Sequence, residues 1–311
     1  MASWYSAAFS RRARVSGPLG SGGEIEGLRQ AYAQLAARFG PPPPDAVFEA
    51  AQLGPIKGEW VRVDASAPQR LILYFHGGGF VAGSPQTHRP LIARLCHASQ
   101  ASAFALSYRL APEFAYPAGL RDAIDAYRQL LGRGIPAMSI VLAGDAAGGG
   151  LAFSTALAIR NAGLPMPAGI VAMSPWADLT LSGWSMLHNA RADRMLNWEM
   201  LFRSARHYVQ KGNPTEAYAS PAFANFHDFP PIMVHAGSME LLRDDASRLG
   251  DRAAEANVPV NVEIYDGMPH LFQADVHLQE SRVSLMRLGQ FIKSRAKSAR
   301  AAAAEIAAGG E

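Results

Sequence analysis

Two rhythms of apolar residues alternate along this chain. Short runs dominated by apolar side chains, "LILYF" at Leu71–Phe75, "SAFALS" at Ser102–Ser107, "SIVLAG" at Ser139–Gly144, "AGIVAMS" at Ala168–Ser174 and "PIMVHAG" at Pro231–Gly237, predict strands buried on both faces. "EWVRVDA" at Glu59–Ala65, read as the neighbour of the "LILYF" strand, and "VNVEIYDG" at Val260–Gly267 predict two further strands. Between them lie stretches of helical period, such as "AGLRDAIDAYRQLL" at Ala118–Leu131 and the final run "LQESRVSLMRLGQFIKSRAKSARAAAA" from Leu278 to Ala304. Strands alternating with helices predict an α/β fold with a mostly parallel central sheet flanked by helices on both faces.

The rhythm breaks twice. Before Glu59, Ile25, Leu28, Tyr32, Leu35 and Phe39 mark one helical face that stops at "GPPPPD", Gly40–Asp45, so a separate helical piece on a stiff linker is predicted there. Between Ala177 and Phe229 no strand pattern occurs; a helical stretch rich in aromatics and methionine (Trp184, Met186, Met195, Trp198, Met200, Phe202, Tyr208) predicts a lid over the carboxyl edge of the sheet. The alanine-rich tail, Ala301–Glu311, is predicted as frayed helix.

With 311 residues, 49% of them hydrophobic and 18% charged, the chain can bury one large core. A net charge of +3 carries no nucleic-acid signature, because the basic residues are dispersed apart from Lys293, Arg295, Lys297 and Arg300. One cysteine, Cys96, excludes an internal disulfide and points to a reducing compartment. "MASWYSAAFSRRARVSG" places its apolar residues before its arginines, the wrong order for a secretory signal, and no run suits a membrane span. A cytoplasmic location is therefore expected, with a homodimer left open.

Candidate chemistry clusters at strand ends. "HGGGFVAGS" (His76–Ser84) follows the strand Leu71–Phe75, where bare glycines let backbone N–H groups approach a reacting carbonyl oxygen. "VLAGDAAGGGLA" (Val141–Ala152) reads as a strand turning sharply into a helix, with the spacing G-x-S-x-G except that alanine, Ala146, stands in the serine position between Gly144 and Gly148. Asp145 is one residue too early to replace it and is read as bracing the loop. Ser139 begins the strand and Ser154 lies on the following helix, so neither substitutes.

These stretches, with "YRLAPE" (Tyr108–Glu113), "SPWADL" (Ser174–Leu179), "ELLRDD" (Glu240–Asp245) and "DGMPHLF" (Asp266–Phe272), resemble the hormone-sensitive-lipase-like branch of the α/β-hydrolases over nearly the full chain. The resemblance implies an α/β-hydrolase fold with a helical cap. It divides the chain into residues 1–50 (N-terminal part of the cap), 51–177 (first part of the core), 178–228 (cap insertion) and 229–311 (second part of the core). It also implies an oxyanion hole from the amides of Gly78, Gly79 and Ala147, with Ala146 in the nucleophile's place.

Of nine histidines, His270 follows the last strand and precedes the last helix, the placement of the base. His76 belongs to the glycine motif. His88, His97, His188, His207, His227, His235 and His277 are read as surface or hydrogen-bonded structural residues. Family members carry aspartate after the penultimate strand; Glu240 takes that position here, with Asp244 and Asp245 as competitors read as helix-start charges. The order 146, 240, 270 is the nucleophile, acid, base order of the fold. No histidine pair has metal-ligand spacing with a carboxylate, and neither metal nor cofactor is expected.

The expected partner is a small apolar ester, with Phe80, Trp184, Trp198 and Phe202 as candidate substrate contacts. Three readings of Ala146 compete: a carboxylesterase whose serine was replaced to hold a ligand without turnover; a natural pseudoenzyme binding a small ester or carboxylate as receptor or carrier, as plant gibberellin receptors resemble this family while lacking a working triad; and a hydrolase with another nucleophile. The retained glycine loop, acid and base favour the first.

Overall fold

Eight strands form the central sheet of the computed structural model, which describes residues 22–37 and 39–296. In chain order they are β1 (Val47–Leu53), β2 (Ile56–Arg62), β3 (Leu71–Phe75), β4 (Ser102–Leu106), β5 (Ile140–Asp145), β6 (Gly169–Met173), β7 (Ile232–Gly237) and β8 (Val260–Tyr265). Across the sheet the order is β1-β2-β4-β3-β5-β6-β7-β8; β1, β2 and β4 pair antiparallel, and every other pair is parallel.

Period-two alternation splits the core into two layers. Leu71, Leu73, Phe75, Leu142 and Ile170 face α3 (Ala118–Gly132), α4 (Ala146–Asn161) and α7 (Arg243–Glu255). Ile72, Tyr74, Val141, Ala143 and Val171 face α2 (Pro85–Ser99) and α8 (Gln279–Arg295). Every residue of β3, β5, β6 and β7 is buried, as the unbroken apolar runs require of strands covered on both faces.

Two expectations are corrected. β2 and β3 are not neighbours: β4 lies between them, with Phe104 opposite both Trp60 and Leu73. The reason is polarity, since "LILYF" offers no side chain for water and takes a central place, whereas "IKGEWVR" alternates and tolerates an outer one. The sheet also begins at Val47, inside the stretch read as residues 1–50 of the cap. β1 has only one β-branched residue, and its half-exposed "VFEAAQL" gave no strand signal; the turn at Gly54, in a left-handed conformation, folds it onto β2.

The helical N-terminal piece is α1 (Gly22–Ala36), and Leu28, Ala31 and Tyr32 join the core layer that holds α3, α4 and α7. The insertion 178–228 holds α5 (Ser185–His188) and α6 (Trp198–Val209) and contributes no strand. α1, α5 and α6 are the helices that lie in the two stretches expected to form the cap. The readings of Met1–Gly17, Lys297, Arg300 and Ala301–Glu311 fall outside the described residues. Among the described residues no helix is long and apolar enough to cross a membrane, and no group of three or more His, Cys, Asp or Glu could hold a metal ion. Cys96 is buried, and burial pushes its thiol pKa far up.

Candidate active site

β5 ends at Asp145 and α4 begins at Ala146, whose φ of 47° lies in the left-handed region. A non-glycine residue held there costs of order 1–3 kcal/mol, so surrounding structure must enforce it. It does so through close packing: a Cβ on Gly148 would sit 2.0 Å from the carbonyl oxygen of Phe75, and one on Gly144 would sit 2.3 Å from that of Gly148. The Trp176 amide donates to the Ala146 carbonyl at 2.8 Å and ties the turn to the strand-end loop after β6. The methyl group of Ala146 therefore stands at the tip of a sharp strand-to-helix turn and reaches the cavity wall.

Facing this turn is the glycine loop that leaves β3. Gly78 and Gly79 adopt φ of 116° and 64°, which only glycine reaches at low cost. Four side chains hold the loop. Asp145 Oδ1 accepts from the Gly77 amide at 3.1 Å and from the Tyr74 hydroxyl at 2.7 Å, the Tyr108 hydroxyl donates to the His76 carbonyl at 2.7 Å, and Arg29 Nε donates to the Val81 carbonyl at 3.0 Å. Asp145 thus braces the loop through its amide, with Tyr74 and His88 Nε2, 3.3 Å from Oδ2, as further partners. Burial pushes the Asp145 pKa up, but His88, the Tyr74 hydroxyl and His76 outweigh that and hold it below the usual carboxylate value. His76 is kept neutral by burial, its pKa lowered to about 3.

Across the cavity, His270 Nδ1 lies 2.6 Å from Glu240 Oε2. The other carboxylate oxygen, Oε1, accepts from the Gly237 amide at 2.6 Å and from the Ser174 hydroxyl at 3.0 Å, and Ser174 Oγ in turn accepts from the Leu271 amide at 2.9 Å. Ser174 so links Glu240 to the backbone beside His270. Burial opposes protonation of His270, yet the hydrogen bond and charge of Glu240, with Asp193 and Asp145 behind, outweigh it and raise the imidazole pKa. Burial raises the Glu240 pKa as well, against the pull of His270 and the Gly237 amide.

The competing carboxylates are engaged elsewhere: Asp244 Oδ2 accepts from the Ser185 amide, and Asp245 Oδ2 from the amides of Ala177 and Asp178. Burial beside Asp178 raises the Asp245 pKa to about 8. Ser154 donates to the Gly150 carbonyl within its own helix.

A cavity of about 280 Å³ brings Ala146, Gly78 and His270 together under a roof of Tyr32, Ala33, Ala36 and Phe39, with Leu110, Met195, Leu196 and Leu271 along its sides. Gly79 lies one step back, where a Cβ would meet the Tyr32 hydroxyl at 2.3 Å, and Ala147 is fully buried.

The aromatic residues expected to touch substrate do not line this cavity. Phe80 is buried and stacked on Tyr208 with ring centroids 3.9 Å apart, so it supports the loop from behind. Trp184 and Trp198 are 69% and 50% exposed, and Phe202 is half-buried against Trp198. The lid supplies Met195 and Leu196 instead, and α1 supplies the rest; the short apolar turn carrying those two has no periodicity that marks it as a pocket wall. His88, read as structural, is buried and also borders the cavity.

A strand-to-helix turn with its tip residue under a glycine loop and beside an acid–histidine pair defines the α/β-hydrolases. Residues 72–274 match the family described as alpha/beta hydrolase fold. An acetyl-hydrolase of Streptomyces hygroscopicus is 39% identical, over 88% of this chain and 91% of its own. An esterase of Acinetobacter venetianus is 35% identical, over 86% of this chain and 88% of its own. Among solved structures, an esterase of the bacterial hormone-sensitive lipase family superimposes with a TM-score of 0.85 at 34% identity, covering 91% of this chain and 94% of that one. The chain belongs to the α/β-hydrolase family, in its bacterial hormone-sensitive-lipase branch.

Proposed function

We propose that the fold is that of a carboxylic ester hydrolase acting on small apolar esters, present here in a nearly inactive form that lacks its nucleophile. The observation that carries the reading is the Glu240–His270 hydrogen bond at 2.6 Å, in a cavity that also holds Gly78 and Ala146. An acid–base pair this well made serves a hydroxyl at position 146. With serine there, His270 Nε2 takes the hydroxyl proton as the oxygen attacks the ester carbonyl, while Nδ1 stays bonded to Glu240. The amides of Gly78, Gly79 and Ala147 stabilise the oxyanion, the leaving alcohol takes the proton back from Nε2, and water resolves the acyl-enzyme by the same route. Alanine has neither a lone pair nor a proton to give.

The bound ester rests with its carbonyl oxygen at the glycine loop, its carbonyl carbon over Ala146 and its apolar part against Phe39, Met195 and Leu196. The single buried cysteine supports a cytoplasmic location.

The test is Ala146→Ser with p-nitrophenyl esters of increasing chain length. Activity should rise by roughly four to six orders of magnitude over the parent chain. A serine form as inert as the parent sinks the esterase reading.

The pseudoenzyme reading draws on Arg29, which borders the cavity and could meet a carboxylate. Its Nε donates to the Val81 carbonyl at 3.0 Å and its Nη2 to Glu113 at 2.7 Å, so two of its three nitrogens already have protein partners. Calorimetric binding of short carboxylates that disappears in Arg29→Gln would favour the receptor.

A further inference from the structure

The lid turn between α5 and α6 does two things at once. Its Met195 and Leu196 form one side of the cavity, and its polar side chains grip the loop that carries Glu240. Asp193 stands at the junction, fully buried. Its Oδ1 accepts from the amides of Met195 and Leu196 at 2.9 and 2.8 Å, and its Oδ2 accepts from the Leu241 amide at 2.8 Å. One carboxylate therefore spans the backbone of the cavity wall and the backbone of the residue after the acid. Asn189, whose carbonyl receives the Asp193 amide at 2.8 Å, adds two bonds from its side-chain amide, to the carbonyls of Ser238 and Glu240 at 2.9 and 2.8 Å.

We propose that Asp193 is a positioning residue that ties the apolar wall selecting the substrate's chain length to the loop orienting Glu240 and His270. The proposal rests on the assignment of Glu240 as the acid. A rigid bridge of this kind makes fit and orientation a single property. An apolar chain that displaces Met195 and Leu196 pulls, through the two Oδ1 bonds and the Oδ2 bond, on the loop holding the acid. Reacting groups lose rate steeply with small displacements, so substrates that strain the wall should lose turnover as well as affinity. The charge of Asp193 also bears on the dyad: with Glu240 and Asp145 it favours the protonated imidazole of His270.

Asp193→Asn keeps the volume and places an amide N–H against backbone N–H donors, which breaks at least one arm of the bridge. In the Ala146→Ser protein we expect kcat to fall by about tenfold or more and the contrast between p-nitrophenyl acetate and hexanoate to flatten. Leu196→Ala and Asp193→Asn should be non-additive in kcat/KM, as residues acting through one link are. The parent chain supplies a readout that needs no turnover: in an NMR titration, Asp193→Asn should move the His270 midpoint to lower pH. If Asp193→Asn does not fold, Asp193→Ser, whose hydroxyl can still accept one amide, carries the same comparisons.

An unchanged chain-length profile, additive effects and an unmoved His270 midpoint overturn the proposal. Failure of Ala146→Ser to hydrolyse any ester overturns instead the reading on which it rests, and the His270 titration of the parent chain still decides whether Asp193 acts on the dyad.

Discussion

The floor and the roof of the cavity are built by different physics. Backbone crowding makes the floor. At the turn around Ala146, glycines at 144 and 148 let carbonyls approach to distances that no Cβ could share, and the neighbouring strands are buried along their whole length. Side chains hold the roof: Tyr32 and Ser204 hydroxyls 3.1 Å apart, Arg29 with Glu113 at 2.7 Å, and Glu24 flanked by His207 and Arg203 at 3.5 and 3.9 Å. A floor set by steric exclusion has one solution. A roof set by polar side-chain contacts tolerates exchange one contact at a time.

The largest effect should come from the floor. Gly148→Val puts atoms onto the Phe75 carbonyl and should cost more than about 4 kcal/mol, seen as loss of a cooperative thermal transition by circular dichroism. A folded, cooperatively melting Gly148→Val protein would break the contrast. Next come the groups between floor and roof. In the Ala146→Ser form, His270→Ala should remove roughly four orders of magnitude of p-nitrophenyl ester hydrolysis, and Glu240→Gln about two to four. Asp244→Asn should leave it within about threefold, because Asp244 accepts from the Ser185 amide and makes no bond to His270. Reversal of the last two would move the acid.

pH separates the regions further. His76 under the floor and His235 on β7 have pKa values lowered by burial to about 3 and about 4. Between those values and the unfolded value near 6.5, the unfolded chain binds protons that the folded chain refuses. Stability should therefore be full above pH of about 6.5 and fall below it by up to about 1.4 kcal/mol per pH unit per histidine. His270, with its raised pKa, contributes in the opposite sense: its stabilisation is full below pH of about 6.5 and is lost as pH rises through its folded value. Urea midpoints across pH 4 to 8, with His235→Gln flattening the acid slope, measure the balance.

The roof should respond weakly. Tyr32→Phe removes one hydrogen bond and should cost about 1 kcal/mol in melting studies, with a changed KM and a nearly unchanged kcat in the Ala146→Ser form. Smallest of all, Trp184→Ala, at a 69% exposed position, should stay within about 0.5 kcal/mol of the parent. A large effect there would break the contrast between the exposed lid surface and the buried floor.

Much of the floor was legible because its signals are local. Apolar runs without polar interruption marked β3, β5, β6 and β7, and glycines at close spacing marked both the turn and the loop. β1 escaped because a half-exposed edge strand needs no strong pattern. The place of β4 between β2 and β3 escaped because strand order depends on which faces must be covered, a property of the whole sheet. The roof was less legible for a related reason: Trp184 and Trp198 are conspicuous by type, but the cavity is walled by Tyr32, Phe39, Met195 and Leu196, which meet only in the folded chain.

Sequence alone determined the fold class, the sharp turn at Ala146 and the glycine loop, because each depends on the chemistry and conformational range of a few neighbouring residues; Glu240 and His270 entered as candidates through the family resemblance. Tertiary structure alone decided strand order, the cavity wall, and the partners of Ser174, His88 and Asp193. These side chains bond partners 66, 57 and 48 positions away, and a hydrogen bond across such a separation is chosen by packing rather than by any pattern along the chain.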